Sequence, residues 1–365
     1  MGDLIRTTAE LGEACGRARA DGVLSLDTEF VWMRTYRPQL GIVQMGCREG
    51  CWAIDCLTGL DTSALKALIE DEDVVKILHD ARQDLTHLHH WTGACPQNVF
   101  DTQLAAAFAG FSHGIGLQKL LFEAIGVGLP KTETRTDWLQ RPLSDAQVRY
   151  ALDDVRYLPV LRDELVRRCV ESGTQLWMLE DQVRYDEAAL YVDYDPENVW
   201  QRVKTRHVRL DGRGRSVLRA VAALREELAQ KWNLPRTWLG DDASLVQMAA
   251  EGRVGHLVHR LRGGQGDTIR GLYAETVKTA LVTPEAEWPE DPRRHYIDEV
   301  LDAADAALAW LNEKAKALHV DSQAIANRAT VTAFVDDVTD VSNSLASGWR
   351  YETVGKELAE RFGVD

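Results

Sequence analysis

What most restricts this chain is a change of period along it. Residues 23–27 (VLSLD), 40–45 (LGIVQM), 51–55 (CWAID) and 74–78 (VVKIL) are short apolar or alternating runs, the pattern of half-buried or buried strands. A helical run at 63–70 separates the third from the fourth. Three strands at hairpin spacing, followed by strand–helix units, predict a mixed sheet flanked by helices. From residue 101 the period is helical, over 102–109, 117–125 and a long run 144–169. After about residue 197 strand patterns cease, and 218–232 reads as a helix ended by Asn233-Leu234-Pro235, since proline disfavours helix for the residue before it. The acidic, proline-bearing residues 284–292 are a candidate linker. A faint repeat sets Leu234, Leu239, Leu245 and Met248 against Val320, Ile325, Val331 and Phe334 at an offset of 86, which with the linker favours two small helical domains over one large one. The expected division is therefore 1–197, 198–283 and 293–365.

A composition 45% hydrophobic and 27% charged excludes wholesale disorder. No run approaches the roughly 20 apolar residues of a membrane span, the first residues have no apolar secretion core, and six cysteines are too sparse for a disulfide scaffold. A soluble cytoplasmic protein is the expectation. The net charge of −15 is unevenly spread: −13 over residues 1–200, +7 over 201–282 and −9 over 283–365. The basic block holds Arg202, Lys204, Arg206, His207, Arg209, Arg213, Arg215 and Arg219, then Lys231, Arg236, Arg253, His256, His259, Arg260 and Arg262. Polyanion binding follows local field rather than total charge, so this block is either a polyanion-binding surface or a set of solvated helix faces.

Three places concentrate chemistry. Asp27-Thr28-Glu29 ends the first predicted strand, where residues two apart share a face. Asp84 lies near the start of a helix after strand 74–78, with Asp80 and Gln83 spaced as an N-terminal capping box; a dipole-stabilising acid is the simpler role for Asp84 alone. In the long helix, Tyr150 and Asp154 are four residues apart and share a face, with Asp153 a weaker competitor. Carboxylates without cysteine or histidine suit Mg²⁺ or Mn²⁺ rather than zinc. Two such ions about 4 Å apart can hold the attacking water and the leaving oxygen of a phosphodiester. Cys47, Cys51 and Cys56 find no fourth ligand at zinc-finger spacing and read as structural thiols.

DTEF (27–30), HDARQDL (79–85) and YALDD (150–154) resemble the three motifs of the DEDD exonucleases in their tyrosine-bearing branch. The runs RTYRPQLGIVQ (34–44) and KTETRTDWLQRPL (131–143) resemble the ribonuclease D family within it, and the two helical segments more loosely resemble HRDC domains. The resemblance implies an α/β ribonuclease H-like nuclease domain followed by two all-α HRDC-like domains. It implies a 3′→5′ exoribonuclease that trims structured RNA precursors, tRNA above all, releasing 5′-monophosphates. By the family pattern Asp27, Glu29 and Asp154 would hold the ion that activates water, Asp27 would bridge to a second ion supported by Asp84, and Tyr150 would orient the nucleophile. Gln44 would be a supporting donor, a substrate contact or a core amide; His79 a substrate contact or a cap on the strand end; Trp138 a base-stacking platform or a loop anchor; Lys131, Arg135 and Arg141 phosphate contacts or solvated side chains. A monomer is expected. Competing readings are a 3′→5′ DNA exonuclease using the same carboxylates and a catalytically silent RNA-binding scaffold. If the helical segments only recruit RNA, deleting residues 201–365 should spare cleavage of dinucleotides.

Overall fold

Six strands, β1 (Leu4–Ile5), β2 (Val23–Val31), β3 (Gln39–Cys47), β4 (Gly50–Asp55), β5 (Val75–Leu78) and β6 (Val99–Asp101), form one sheet in the order β1-β4-β3-β2-β5-β6. The structure is a computed structural model and describes residues 4–129, 136–206, 208–292 and 294–364. Antiparallel β3 and β4 pair Val43 with Ile54 and Gln44 with Ala53, whereas β2, β5 and β6 run parallel. The four strands expected from sequence are present. Strands β1 and β6 are two and three residues long, too short to show an alternation.

The sheet is flanked by α1 (Thr8–Asp21), α2 (Ser63–Ile69), α3 (Ala81–Thr92), α4 (Thr102–Phe108), α5 (Leu117–Ile125), α6 (Asp145–Arg156), α7 (Leu158–Ser172) and α8 (Gln175–Gln182). The run 144–169, expected as one helix, is broken at Tyr157 because Pro159 opens a new first turn, where its missing N–H is no loss. Ser144 and Gln147 form a reciprocal capping box at the start of α6. At α3 the expected cap is corrected. Asp80 has φ 60° and makes no side-chain cap. The Asp101 carboxylate instead accepts from the amides of Asp80 at 3.0 Å and Ala81 at 3.1 Å, and from Gln103 at the start of α4 at 2.8 Å. One buried side chain thus begins two helices.

The chain divides into two compact units, and the division differs from the expected succession of three. The first comprises Met1–Phe30, Leu40–Val192 and Tyr296–Asp365. The acidic C-terminal segment therefore belongs with the six-stranded sheet. Having passed through the other unit, the chain re-enters this one with α13 (Asp298–Ala317), α14 (Ser322–Ile325), α15 (Arg328–Asp336), α16 (Gly348–Arg350) and α17 (Lys356–Phe362). Leu311, Phe334, Trp349 and Leu358 join the same apolar core as Leu24, Leu78 and Phe108. Trp349 stacks on Trp177 at 5.0 Å and meets Phe108 edge-on at 5.5 Å. Arg350 grips Asp181 with two 2.6 Å hydrogen bonds.

The second unit comprises Val31–Gln39 and Asp193–His295. Its helices α9 (Gly212–Trp232), α10 (Arg236–Leu239), α11 (Asp242–Glu251) and α12 (Gln265–Ala280) bury Val217, Val221, Leu245, Met248, Ile269 and Tyr273. Asn233 ends α9 in the left-handed region, as the turn signal predicted. The expected linker 284–292 is packed: Arg215 donates to the Pro289 carbonyl at 2.8 Å and the Trp288 indole to Thr283 at 3.1 Å. The segment Val31–Gln39 is tied down within this unit, with Tyr36 donating to Glu226 and Arg37 paired with Asp193. No described helix is long and apolar enough to cross a membrane.

Candidate active site

Strand β2 carries Asp27 and Glu29 on one face, and α6 brings Asp154 against them; one oxygen from each of the three lies within 4.8 Å of the others. Asp84, in the first turn of α3 beyond the end of β5, adds its charge to the group. Among the described residues none of the four carboxylates carries an ion pair to lysine or arginine. Asp153, the competitor for the role of Asp154, instead pairs with Arg156 at 3.3 Å.

The electrostatic consequence is uniform. Burial, then repulsion from Asp84, Asp154 and Glu29, holds Asp27 well above the ordinary carboxylate range. Burial and the charges of Asp154 and Asp84 push Glu29 to about 8. Burial raises Asp84 and Asp154 each to about 7, opposed by hydrogen bonds from Thr28 and Tyr150 respectively. Asp27, Glu29 and Asp154, with no basic partner and one oxygen each within 4.8 Å, could hold a hard divalent cation, whose charge would return them and the nearby Asp84 to their ionised form. Burial and the adjoining carboxylates raise the Tyr150 phenol, which stays protonated and donates to Asp154.

A loop ahead of α6 secures Tyr150. Trp138 is 3% exposed and packs on the Tyr150 ring at 6.1 Å between centroids. Arg141 then clamps this loop to the sheet, bonding Asp55 twice at 2.6 and 2.9 Å and the carbonyls of Trp138 and Gly41 at 2.8 and 2.9 Å. Glycine is required at 41, since a Cβ there would lie 2.3 Å from the Trp138 carbonyl oxygen.

Several substrate contacts expected from sequence are thereby corrected. Trp138 is an anchor, with no face free for a base. Arg141 spends its guanidinium on Asp55. Gln44 is fully buried in β3, closed off from solvent, and is a core amide. His79 bonds Thr102 at 2.9 Å and the Ile115 carbonyl at 3.0 Å through its two ring nitrogens, so it braces the strand end. Lys131 and Arg135 lie outside the described residues. Sequence reasoning missed the Asp55–Arg141 clamp, whose partners are 86 positions apart, and the hydrogen bonds of Thr28, which donates to Asp84 and also contacts Nδ1 of His87. The only signal of the latter was a hydroxyl between two site carboxylates.

Residues 3–169 match the family model of a 3′-5′ exonuclease. The chain is 34% identical over 367 residues to ribonuclease D of Pseudomonas paraeruginosa, covering 97% of this chain and 96% of that one. It is 41% identical over 249 residues to ribonuclease D of Desulfotalea psychrophila, covering 68% and 66%. Among solved structures, Escherichia coli RNase D, an exoribonuclease involved in structured RNA processing, is similar with a TM-score of 0.85 and 28% identity over 98% of this chain and 97% of that one. The mixed sheet with flanking helices is of ribonuclease H type, as the sequence led one to expect.

Proposed function

The chain belongs to the ribonuclease D family of 3′-5′ exoribonucleases, and from that premise we propose that it trims RNA precursors, those of tRNA among them, one nucleotide at a time at a pair of divalent cations. The observation that carries this reading is the half-buried carboxylate group of Asp27, Glu29 and Asp154 beside Asp84, none of them ion-paired among the described residues. Asp27, Glu29 and Asp154 would hold one Mg²⁺ or Mn²⁺, and Asp27 with Asp84 a second. When bound, the ions would acidify the attacking water and neutralise charge on the leaving 3′ oxygen. Tyr150 keeps its proton at physiological pH and, fixed by Trp138 and Asp154, orients the attacking water toward the terminal phosphate. The products would be 5′-monophosphates.

The helical segments 198–283 and 293–365 would be modules of HRDC type, the first holding RNA. Support comes from its exposed Lys204, Arg206, Arg209, Arg213, Arg260 and Arg262; His207 lies outside the described residues. Arg236 and Arg215 are committed to Glu226 and to the Pro289 carbonyl and contribute less. A cytoplasmic location accords with this role.

The test is a time course on matched end-labelled RNA and DNA strands with Mg²⁺, Mn²⁺ or EDTA. A one-nucleotide ladder shortening from the 3′ end of RNA and absent with EDTA is expected. Equal or faster loss of DNA would assign the site to a DNA exonuclease, and binding without shortening would leave a scaffold.

A further inference from the structure

Thr28 stands between the two carboxylates of β2 yet takes neither's role. Its hydroxyl donates to Asp84 across to α3, and the same oxygen lies 3.2 Å from Nδ1 of His87, one turn further along that helix. A hydroxyl has one proton to give. An Asp84 that serves a cation is ionised and has none, so the proton between Thr28 and Asp84 belongs to Thr28. The contact with His87 then requires Nδ1–H as donor, whichever charge state the ring holds. His87 is buried, 5% exposed, and its ring is fixed edge-on against Phe30 at 4.2 Å, so the donor is aimed by packing.

We infer that His87 and Thr28 form a directional hydrogen-bond relay, Nδ1–H to Oγ1 and Oγ1–H to carboxylate, that positions Asp84 as an acceptor for the second cation. Asp84 has no ligand atom in the tight three-carboxylate group and depends on this support for its orientation. The inference rests on the two-cation reading above. It assigns Thr28 and His87 as positioning residues, since neither would touch metal or substrate.

The experiment is a calorimetric titration of the full-length protein with Mn²⁺ alone, without RNA, on the wild type, Thr28→Val, Thr28→Ser and His87→Phe. In Thr28→Val the weaker of two sites should lose about 10- to 100-fold in affinity, the usual cost of removing a group that orients a metal ligand. Thr28→Ser, which keeps the hydroxyl, should restore it; in a separate RNA-shortening assay Thr28→Val should leave the RNA concentration for half-maximal rate unchanged. His87→Phe retains the aromatic contact with Phe30 and removes only the donor; it should weaken the same site and serves alone if Thr28→Val does not fold. Two ions bound with wild-type affinity by Thr28→Val or by His87→Phe would overturn the relay while leaving the nuclease reading intact. A serine variant as weak as the valine variant would also overturn it. A wild type that binds a single ion would sink the two-cation reading itself, and the relay with it.

Discussion

At Asp27, burial and three neighbouring acids act in the same direction, so its charge destabilises the metal-free fold. Asp27→Asn should abolish RNA shortening, leave RNA binding nearly intact and raise the melting temperature of the metal-free protein. Unchanged turnover would remove Asp27 from the site. The wider group predicts a pH dependence. Carboxyls held at about 7 to 8 in the fold against about 4 unfolded bind protons more tightly when folded. Their contribution is fully present below the unfolded values and is lost as pH rises through 7 to 8. Melting in EDTA should therefore fall between about pH 5 and about pH 9, and Mn²⁺ should remove the dependence; a flat profile in EDTA would contradict the electrostatics. Tyr150→Phe should cost about 100-fold or more in rate while Mn²⁺ binding persists. The pairs Asp27 with Glu29 and Tyr150 with Asp154 were legible in the sequence because fixed spacings on one strand and one helix put their side chains on common faces; Asp84 was marked only by the resemblance of its motif. Thr28 as a relay was not, because strand alternation alone assigns it to the other face from Asp27 and Glu29.

Among the elements, α6 and the loop before it act together. The loop has no periodicity of its own and is held by Arg141 on Asp55, a largely buried pair. Removing one member of such a pair leaves the other without its partner, so Arg141→Met should destabilise the first unit by about 3–5 kcal/mol, measured by urea denaturation. Trp138→Phe should instead lower kcat with little change in KM, because it loosens the Tyr150 ring without touching RNA. A raised KM at unchanged kcat would return Trp138 to the role of a base-stacking contact. Helix existence was readable from apolar spacing; helix starts were less so. The spacing of Asp80 and Gln83 looked like a capping box, yet the cap came from Asp101, which lies 21 positions away from Asp80 in sequence. Local spacing cannot anticipate a partner delivered by an adjacent strand.

For the whole molecule, the interrupted first unit changes what truncation can test. Deleting residues 201–365 would strip Leu311, Phe334, Trp349 and Leu358 from the core that holds the sheet, and the remainder should aggregate or melt rather than act as a lone exonuclease. Soluble, folded residues 1–200 with full activity on dinucleotides would refute that dependence. The recruiting role is better examined in the intact chain. Arg206→Gln, Arg209→Gln and Arg213→Gln together should weaken RNA binding. They should also flatten its salt dependence by about 0.7 in the log–log slope for each phosphate left without a neutralising arginine, with dinucleotide cleavage unaltered.

The chain's own order of residues determined the strands, the class of sheet, the carboxylate motifs and the basic block, because each is a matter of period, spacing or local charge. Tertiary structure decided the rest. It put the acidic last segment into the core of the first unit, since an apolar stripe on a helix specifies that it be buried but not against what. It converted His79, Trp138 and Arg141 from candidate contacts into braces, since a polar or aromatic side chain is free for a ligand only if no neighbour claims it. And it joined Thr28 to His87 across 59 positions, a partnership that exists only once β2 and α3 lie side by side.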